Sequence, residues 1–162
     1  MAERATIQRR GLVGLVGAVA ATALLSFTPA FEGTELSTYR DMGGVLTYCT
    51  GATESAALGK SYTPAQCRAQ LDRDLERHAV GIAACIPLAR LTDGQKVAFV
   101  DVAYNIGVSG FCGSSMARRT NAGDMVGACN ALLMWNKVGG KEVRGLTRRR
   151  QAERELCLKG LP

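Results

Sequence analysis

Residues 11–30 contain no Asp, Glu, Lys or Arg. As a helix rising about 1.5 Å per residue they would extend roughly 30 Å, the hydrocarbon thickness of a bilayer. The run is nevertheless thin in large side chains: Leu12, Val13, Leu15, Val16, Val19, Leu24, Leu25 and Phe27 alternate with eight glycines and alanines. At roughly 0.3 to 0.6 kcal/mol for each large apolar residue, insertion gains only a few kcal/mol before Gly, Ser and Thr subtract from it. A weakly hydrophobic, marginally membrane-soluble helix is the expectation. At its end, Thr28 and Pro29 read as the N-cap and first-turn proline of a short helix that Gly33 stops.

Beyond Gly33 the pattern shortens to β-type runs. Leu-Ser-Thr-Tyr (36–39) and Val-Leu-Thr-Tyr-Cys (45–49) flank Asp-Met-Gly-Gly (41–44), whose paired glycines suit a hairpin turn. Helical spacing then takes over. Thr63-Pro64-Ala65-Gln66 is a capping box with proline at the first helical position, and Cys67, Leu71, Leu75 and Ala79 recur at intervals of four. Thr92-Asp93-Gly94-Gln95 repeats the start signal, and the nearly uninterrupted apolar run Val97–Tyr104 predicts a buried central helix. Further helices are predicted over 114–120, 124–136 and 146–158, with Gly160 as the last cap. About 130 residues after the N-terminal run support one domain.

Candidate chemistry falls where the first two patterns meet. Glu32 is followed nine positions later by Asp41 and six after that by Thr47. A carboxyl that must be protonated, a second carboxylate that must stay ionised and a hydroxyl beside them are the parts a glycosidase needs. Enclosure beside Phe31 would keep Glu32 protonated, while an open turn leaves Asp41 ionised. Two carboxylates at this spacing are otherwise solvated charges beside a hairpin.

The full string Glu-Gly, Tyr-Arg-Asp, a glycine turn, Thr47 and Gly51 resembles the signature of the phage-type lysozymes, glycoside hydrolase family 24. Tyr104-Asn105-Ile106-Gly107, Trp135 followed by Gly139-Gly140-Lys141, and Gly145-Leu146-Thr147-Arg148-Arg149 fit the same family. The resemblance spans about residues 30 to 160. It implies an α+β lysozyme-like fold, with a small β-hairpin lobe, a larger helical lobe and a glycan cleft between them. It implies a muramidase that cleaves the β-1,4 bond between N-acetylmuramic acid and N-acetylglucosamine in peptidoglycan, without a cofactor. Glu32 would be the general acid, and Asp41 and Thr47 would position water at the anomeric carbon. Asn105 and Trp135 are candidate sugar contacts, and Arg148 a candidate partner for Glu32. The chain departs from the family at Ala52, where many relatives carry a histidine that could pair with a helix carboxylate such as Asp74. The alternative reading is a non-catalytic, exported cell-wall-binding protein on the same fold.

Arg4, Arg9 and Arg10 precede the uncharged run, and Glu32 and Glu35 follow it. By the positive-inside rule this leaves the N-terminus cytoplasmic and exports the rest to the periplasm. A cleaved secretory signal, with Thr28-Pro29-Ala30 at the cut, and a permanent anchor both compete for the segment. Cleavage after Ala30 would leave Glu32 without a helix to fix it, and weak hydrophobicity argues against permanence. The favoured reading resembles the signal-anchor-release endolysins: residues 1–30 are an export segment that tethers the enzyme, inactive, to the inner membrane, and 31–162 form the catalytic domain. Some such relatives are caged through an anchor thiol, but no cysteine precedes Cys49 here.

Six cysteines, Cys49, Cys67, Cys85, Cys112, Cys129 and Cys157, suit an exported protein. Fifteen pairings are possible. The preferred one joins neighbours along the chain: Cys49 with Cys67, Cys85 with Cys112, Cys129 with Cys157. No CxxC occurs and His78 is the sole histidine, so no metal site is expected. His78 itself reads as a solvated helix residue. Eight Lys or Arg in residues 137–162 draw that end toward anionic surfaces. A nucleic-acid-binding module is disfavoured by the cysteines and the export segment, and a monomer is expected.

Overall fold

A computed structural model describes residues 11–162. Arg4, Arg9 and Arg10, on which the expected orientation of the N-terminus rests, lie outside those residues. The uncharged run forms two helices where the sequence suggested one, α1 (Gly11–Val16) and α2 (Ala18–Glu32). They are divided at Gly17, whose φ of 87° only glycine adopts without strain. Neither helix ends at Thr28. The alanine- and leucine-rich turns before it carry α2 straight through Pro29, so Thr28 is a buried helical residue and not the expected N-cap.

Both helices are built into the main core. Leu12, Val16, Ala20, Ala21 and Leu24 are at most 2% exposed and join one cluster with Leu75, Ile82, Val97, Phe99, Phe111 and Leu132. The small residues that weaken this run as a membrane span let it pack closely against α3 (Pro64–Ala83) and α4 (Asp93–Ile106). Among the described residues, no helix is long and apolar enough to cross a membrane.

The small lobe is an antiparallel pair, β1 (Glu35–Arg40) and β2 (Leu46–Cys49), with Tyr39 opposite Thr47 and Arg40 opposite Leu46. Its own core is slight: Tyr48, Cys49, Ala52 and Cys67 are buried together, and Tyr48 stacks on Tyr62 at 4.4 Å. The Cys49–Cys67 disulfide fastens it to α3.

In the helical lobe both expected capping boxes form, at Thr63/Gln66 and Thr92/Gln95. Residues Val97–Ala103 of α4 are wholly buried. Around this central helix lie α5 (Val108–Cys112), α6 (Ser115–Asn121), α7 (Met125–Ala131) and α8 (Arg144–Lys159). The α4–α8 contact is tight because Gly94 has no side chain: a Cβ there would lie 2.2 Å from the Leu156 carbonyl oxygen. The helix expected over 124–136 ends as α-helix at Ala131 and continues only as a 3₁₀ turn, Leu132–Met134. A second hairpin, β3 (Lys137–Val138) and β4 (Lys141–Glu142), turns at Gly139-Gly140, which the sequence patterning did not anticipate. Disulfides Cys85–Cys112 and Cys129–Cys157 complete the pairing between chain neighbours. The α+β arrangement of a hairpin lobe on a helical lobe is the one expected.

Candidate active site

Glu32 is the last residue of α2, and Gly33 closes the helix by donating its N–H to the Pro29 carbonyl at 2.8 Å. A helix terminus inside a packed lobe gives the carboxylate a fixed origin. Its side chain is 25% exposed and opens on a cleft of about 400 Å³ between the lobes. Thr50, Gly51 and Glu54 from the hairpin side, Gln70, Asp74, Arg77 and His78 from α3, and Tyr104 and Asn105 from α4 line the rest.

Behind Glu32 stands Arg149 of α8, with a side chain 4% exposed. One terminal nitrogen, Nη1, donates to Glu32. Nε and Nη2 donate to Asp101 at 2.9 and 3.0 Å, a bidentate grip on a carboxylate that is fully buried in α4. Thr28 adds a third bond, its hydroxyl donating to Asp101 Oδ1 at 2.7 Å. Burial alone would push Asp101 up, but its bonds with Glu153 and Arg149, the Arg149 charge and Thr28 outweigh it and hold the carboxyl below its ordinary value. Burial likewise opposes the Arg149 charge and is overcome, chiefly by Asp101. Asp101 and Glu32 thus both pair with Arg149. Its Nη1 fixes the direction of the Glu32 carboxylate.

The expected partner, Arg148, is exposed and makes no ion pair among the described residues. The difference is one step of 100° around α8, which points Arg149 inward and Arg148 to solvent. Arg150 also faces inward, against Glu153 at 2.6 Å. Burial and the bond with Asp101 push Glu153 well above the usual carboxylate range.

Asp41 and Thr47 stand on the hairpin, outside the walls of the cleft. Asp41 Oδ1 accepts from the N–H groups of Gly43 and Val45, each at 2.9 Å, so the turn itself aims the side chain. Among the described residues no protein donor reaches Oδ2. Thr47 is 4% exposed and donates its hydroxyl to the Val45 carbonyl at 3.0 Å, which leaves its lone pairs as acceptors. Tyr39, opposite Thr47, is raised by burial and then by Glu35, Asp41 and Glu32, so its phenol feels both proposed catalytic carboxylates.

Asn105 lines the cleft, whereas Trp135 packs against the core of the helical lobe. His78 is half-buried in the cleft wall and not simply solvated, with Nδ1 at 2.6 Å from the Asp74 carbonyl oxygen and its ring against Tyr104. Asp74 is served by Arg77 and by Gln70, in a chain whose position 52 is alanine. Patterning missed Thr28, Asp101 and Arg149 as a group. Asp101 carried a usable signal, being the one charge inside the apolar run 97–104. Thr28 carried none, because a hydroxyl in an apolar helix has many ordinary uses.

A carboxylate at a helix end, set in a cleft between a β-hairpin lobe and a helical lobe, defines a glycosidase of the lysozyme class. The family profile described as phage lysozyme matches residues 29–153, and the chain belongs to that family. It is similar to a SAR-endolysin of Enterobacteria phage PA-2, 40% identical over 151 residues that cover 89% of this chain and 90% of that one. A SAR-endolysin of Enterobacteria phage P21 is 38% identical over 149 residues, with the same coverage. Among solved structures, the active form of the P1 phage endolysin Lyz superposes with a TM-score of 0.78 at 25% identity, covering 91% of this chain and 93% of that one. The chain is accordingly a lysozyme, a glycoside hydrolase with phage endolysin function.

Proposed function

We propose that Glu32 protonates the glycosidic oxygen between N-acetylmuramic acid and N-acetylglucosamine, while Asp41 and Thr47 orient the water that attacks the anomeric carbon. The observation that carries this assignment is the seat of Glu32: a helix terminus at the cleft, gripped by Arg149, which is itself locked to a buried Asp101. Asp41 keeps a free carboxylate oxygen and Thr47 a free lone pair, the acceptors needed to steer water. Asn105, on the same cleft, supplies an amide for an acetamido group. Glu32→Gln should lower the rate of turbidity loss of chloroform-treated Gram-negative cells by about 10² to 10⁴-fold, the usual weight of a general acid. Equal lysis by variant and wild type would overturn the assignment.

The same reading extends to the membrane. Residues 11–30 export the chain to the periplasm, hold it to the inner membrane with the N-terminus cytoplasmic, and leave the bilayer when the membrane depolarises. Marginal hydrophobicity, the name SAR-endolysin borne by the relatives and the burial of Leu12, Val16, Ala20, Ala21 and Leu24 in the enzyme's own core support it. A cleaved signal would remove those core side chains. Protease protection and muralytic activity, measured before and after depolarisation, test the tether; full activity in the intact, tethered state would refute it. The mass of the protein recovered from the periplasm distinguishes release from cleavage.

A further inference from the structure

We propose that Thr28 is a positioning residue for Glu32, so that a hydroxyl carried by the apolar N-terminal segment completes the clamp on the catalytic acid. This deepens the function proposed above and rests on Glu32 as the acid. Thr28 and Glu32 are four positions apart on α2, hence on one face of the helix and one turn apart. Thr28 is fully buried and donates to Asp101 Oδ1 at 2.7 Å. Asp101 holds Arg149 through two nitrogens, and the remaining nitrogen of Arg149 holds Glu32. Three helices, α2, α4 and α8, are closed into one ring by these bonds.

The backbone explains why the hydroxyl is needed. Pro29 stands inside α2. It has no N–H to return to the Leu25 carbonyl, so the turn that ends in Glu32 lacks one of the bonds tying it to the preceding helix. The bond from Thr28 to Asp101 stands beside that gap and fixes the last turn against α4. Phe31 adds a second contact, its ring 5.7 Å from the Arg149 guanidinium. Chain held in lipid cannot present Thr28 to Asp101. Extraction of the segment would therefore complete the orientation of the acid in the same motion that completes the core.

The test uses full-length enzyme and soluble murein fragments at varied concentration. Thr28→Val keeps the shape and removes the donor, and Thr28→Ser keeps the donor and removes the methyl group. Thr28→Val should lower kcat about tenfold with KM within about twofold, since small displacements of a catalytic group act on the chemical step. Thr28→Ser should recover most of kcat. Circular dichroism confirms that each variant is folded at the assay temperature. If Thr28→Val is folded and fully active, or if both variants lose kcat alike, the residue only packs and the proposal is wrong. Should Thr28→Val not fold, Thr28→Ala compared with Thr28→Ser gives the same contrast. Glu32→Gln run in parallel separates the claims: an active Glu32→Gln removes the acid assignment itself, while an inactive one beside an unaffected Thr28→Val removes only the role of Thr28.

Discussion

Arg149 and Glu32, separated by 117 positions in sequence, form the ion pair on which the cleft is organised. The arginine is nearly buried and the glutamate faces the cleft, so the pair carries the order of the core out to the reacting surface. Lysine cannot reproduce this, because an ammonium has no planar fork to serve two carboxylates from fixed positions. Arg149→Lys should lower muralytic activity by about 10 to 100-fold. Arg149→Met should also lower stability by about 3 to 5 kcal/mol, because Asp101 is left as a buried charge without its partner. Urea unfolding and lysis assays on both variants check these values, and a fully active Arg149→Met would show that Glu32 needs no orienting donor.

Asp101 sets an acid limit on stability. Its carboxyl is held below the unfolded value of about 3.9, so at low pH the unfolded chain binds more protons. The stability it contributes is complete above about pH 5 and is lost as pH falls through the folded value. Asp101→Asn should therefore be less stable than wild type at pH 7, with the difference shrinking between about pH 5 and pH 2. Glu153 works in the opposite sense: raised in the folded chain, it contributes stability below the usual carboxylate range and loses it as pH rises through its raised value. Thermal unfolding of wild type, Asp101→Asn and Glu153→Gln across pH separates the two. A gap that does not change with pH would contradict the Asp101 account.

Gly17 decides between two homes for the same segment. A leucine there would meet a φ of 87° in the folded enzyme, a strain of about 1 to 3 kcal/mol, yet would strengthen residues 11–30 as a membrane span. Gly17→Leu should stay with the membrane fraction after depolarisation and delay lysis. Gly14→Leu, at an exposed helical position, should delay it less, since it adds apolar surface without the backbone strain. Equal delay by both would show that refolding does not limit release.

Every cysteine among the described residues is paired, and the segment before Cys49 offers no thiol. Activation on depolarisation should need no reductant, and a requirement for one would reject the release scheme.

The Cys49–Cys67 bridge closes a loop of 18 residues and should contribute roughly 3 kcal/mol. Replacing both by serine should loosen the small lobe, whose own core holds little apolar surface, while leaving the helical lobe's other two bridges intact. Proteolysis within 35–62, compared with wild type, would reveal that loosening.

Local signals in the sequence determined a good deal: the uncharged span, the glycine turn at 41–44, both capping boxes, the buried central helix and, through the family signature, the lysozyme class. Those features depend on spacing of three or four residues or on strings kept together along the chain. Tertiary structure alone decided that Arg149 and not Arg148 meets Glu32, that Trp135 turns to the core, that Thr28 lies within α2 and reaches Asp101, and that the thin apolar run splits at Gly17 to fill the helical lobe. Each of these turns on which side of a helix faces another helix, and a difference of one residue, or of 100° about an axis, is too small for periodicity to resolve. Packing of α2, α4 and α8 against one another fixes it, bringing Arg149 of α8 between Glu32 of α2 and Asp101 of α4.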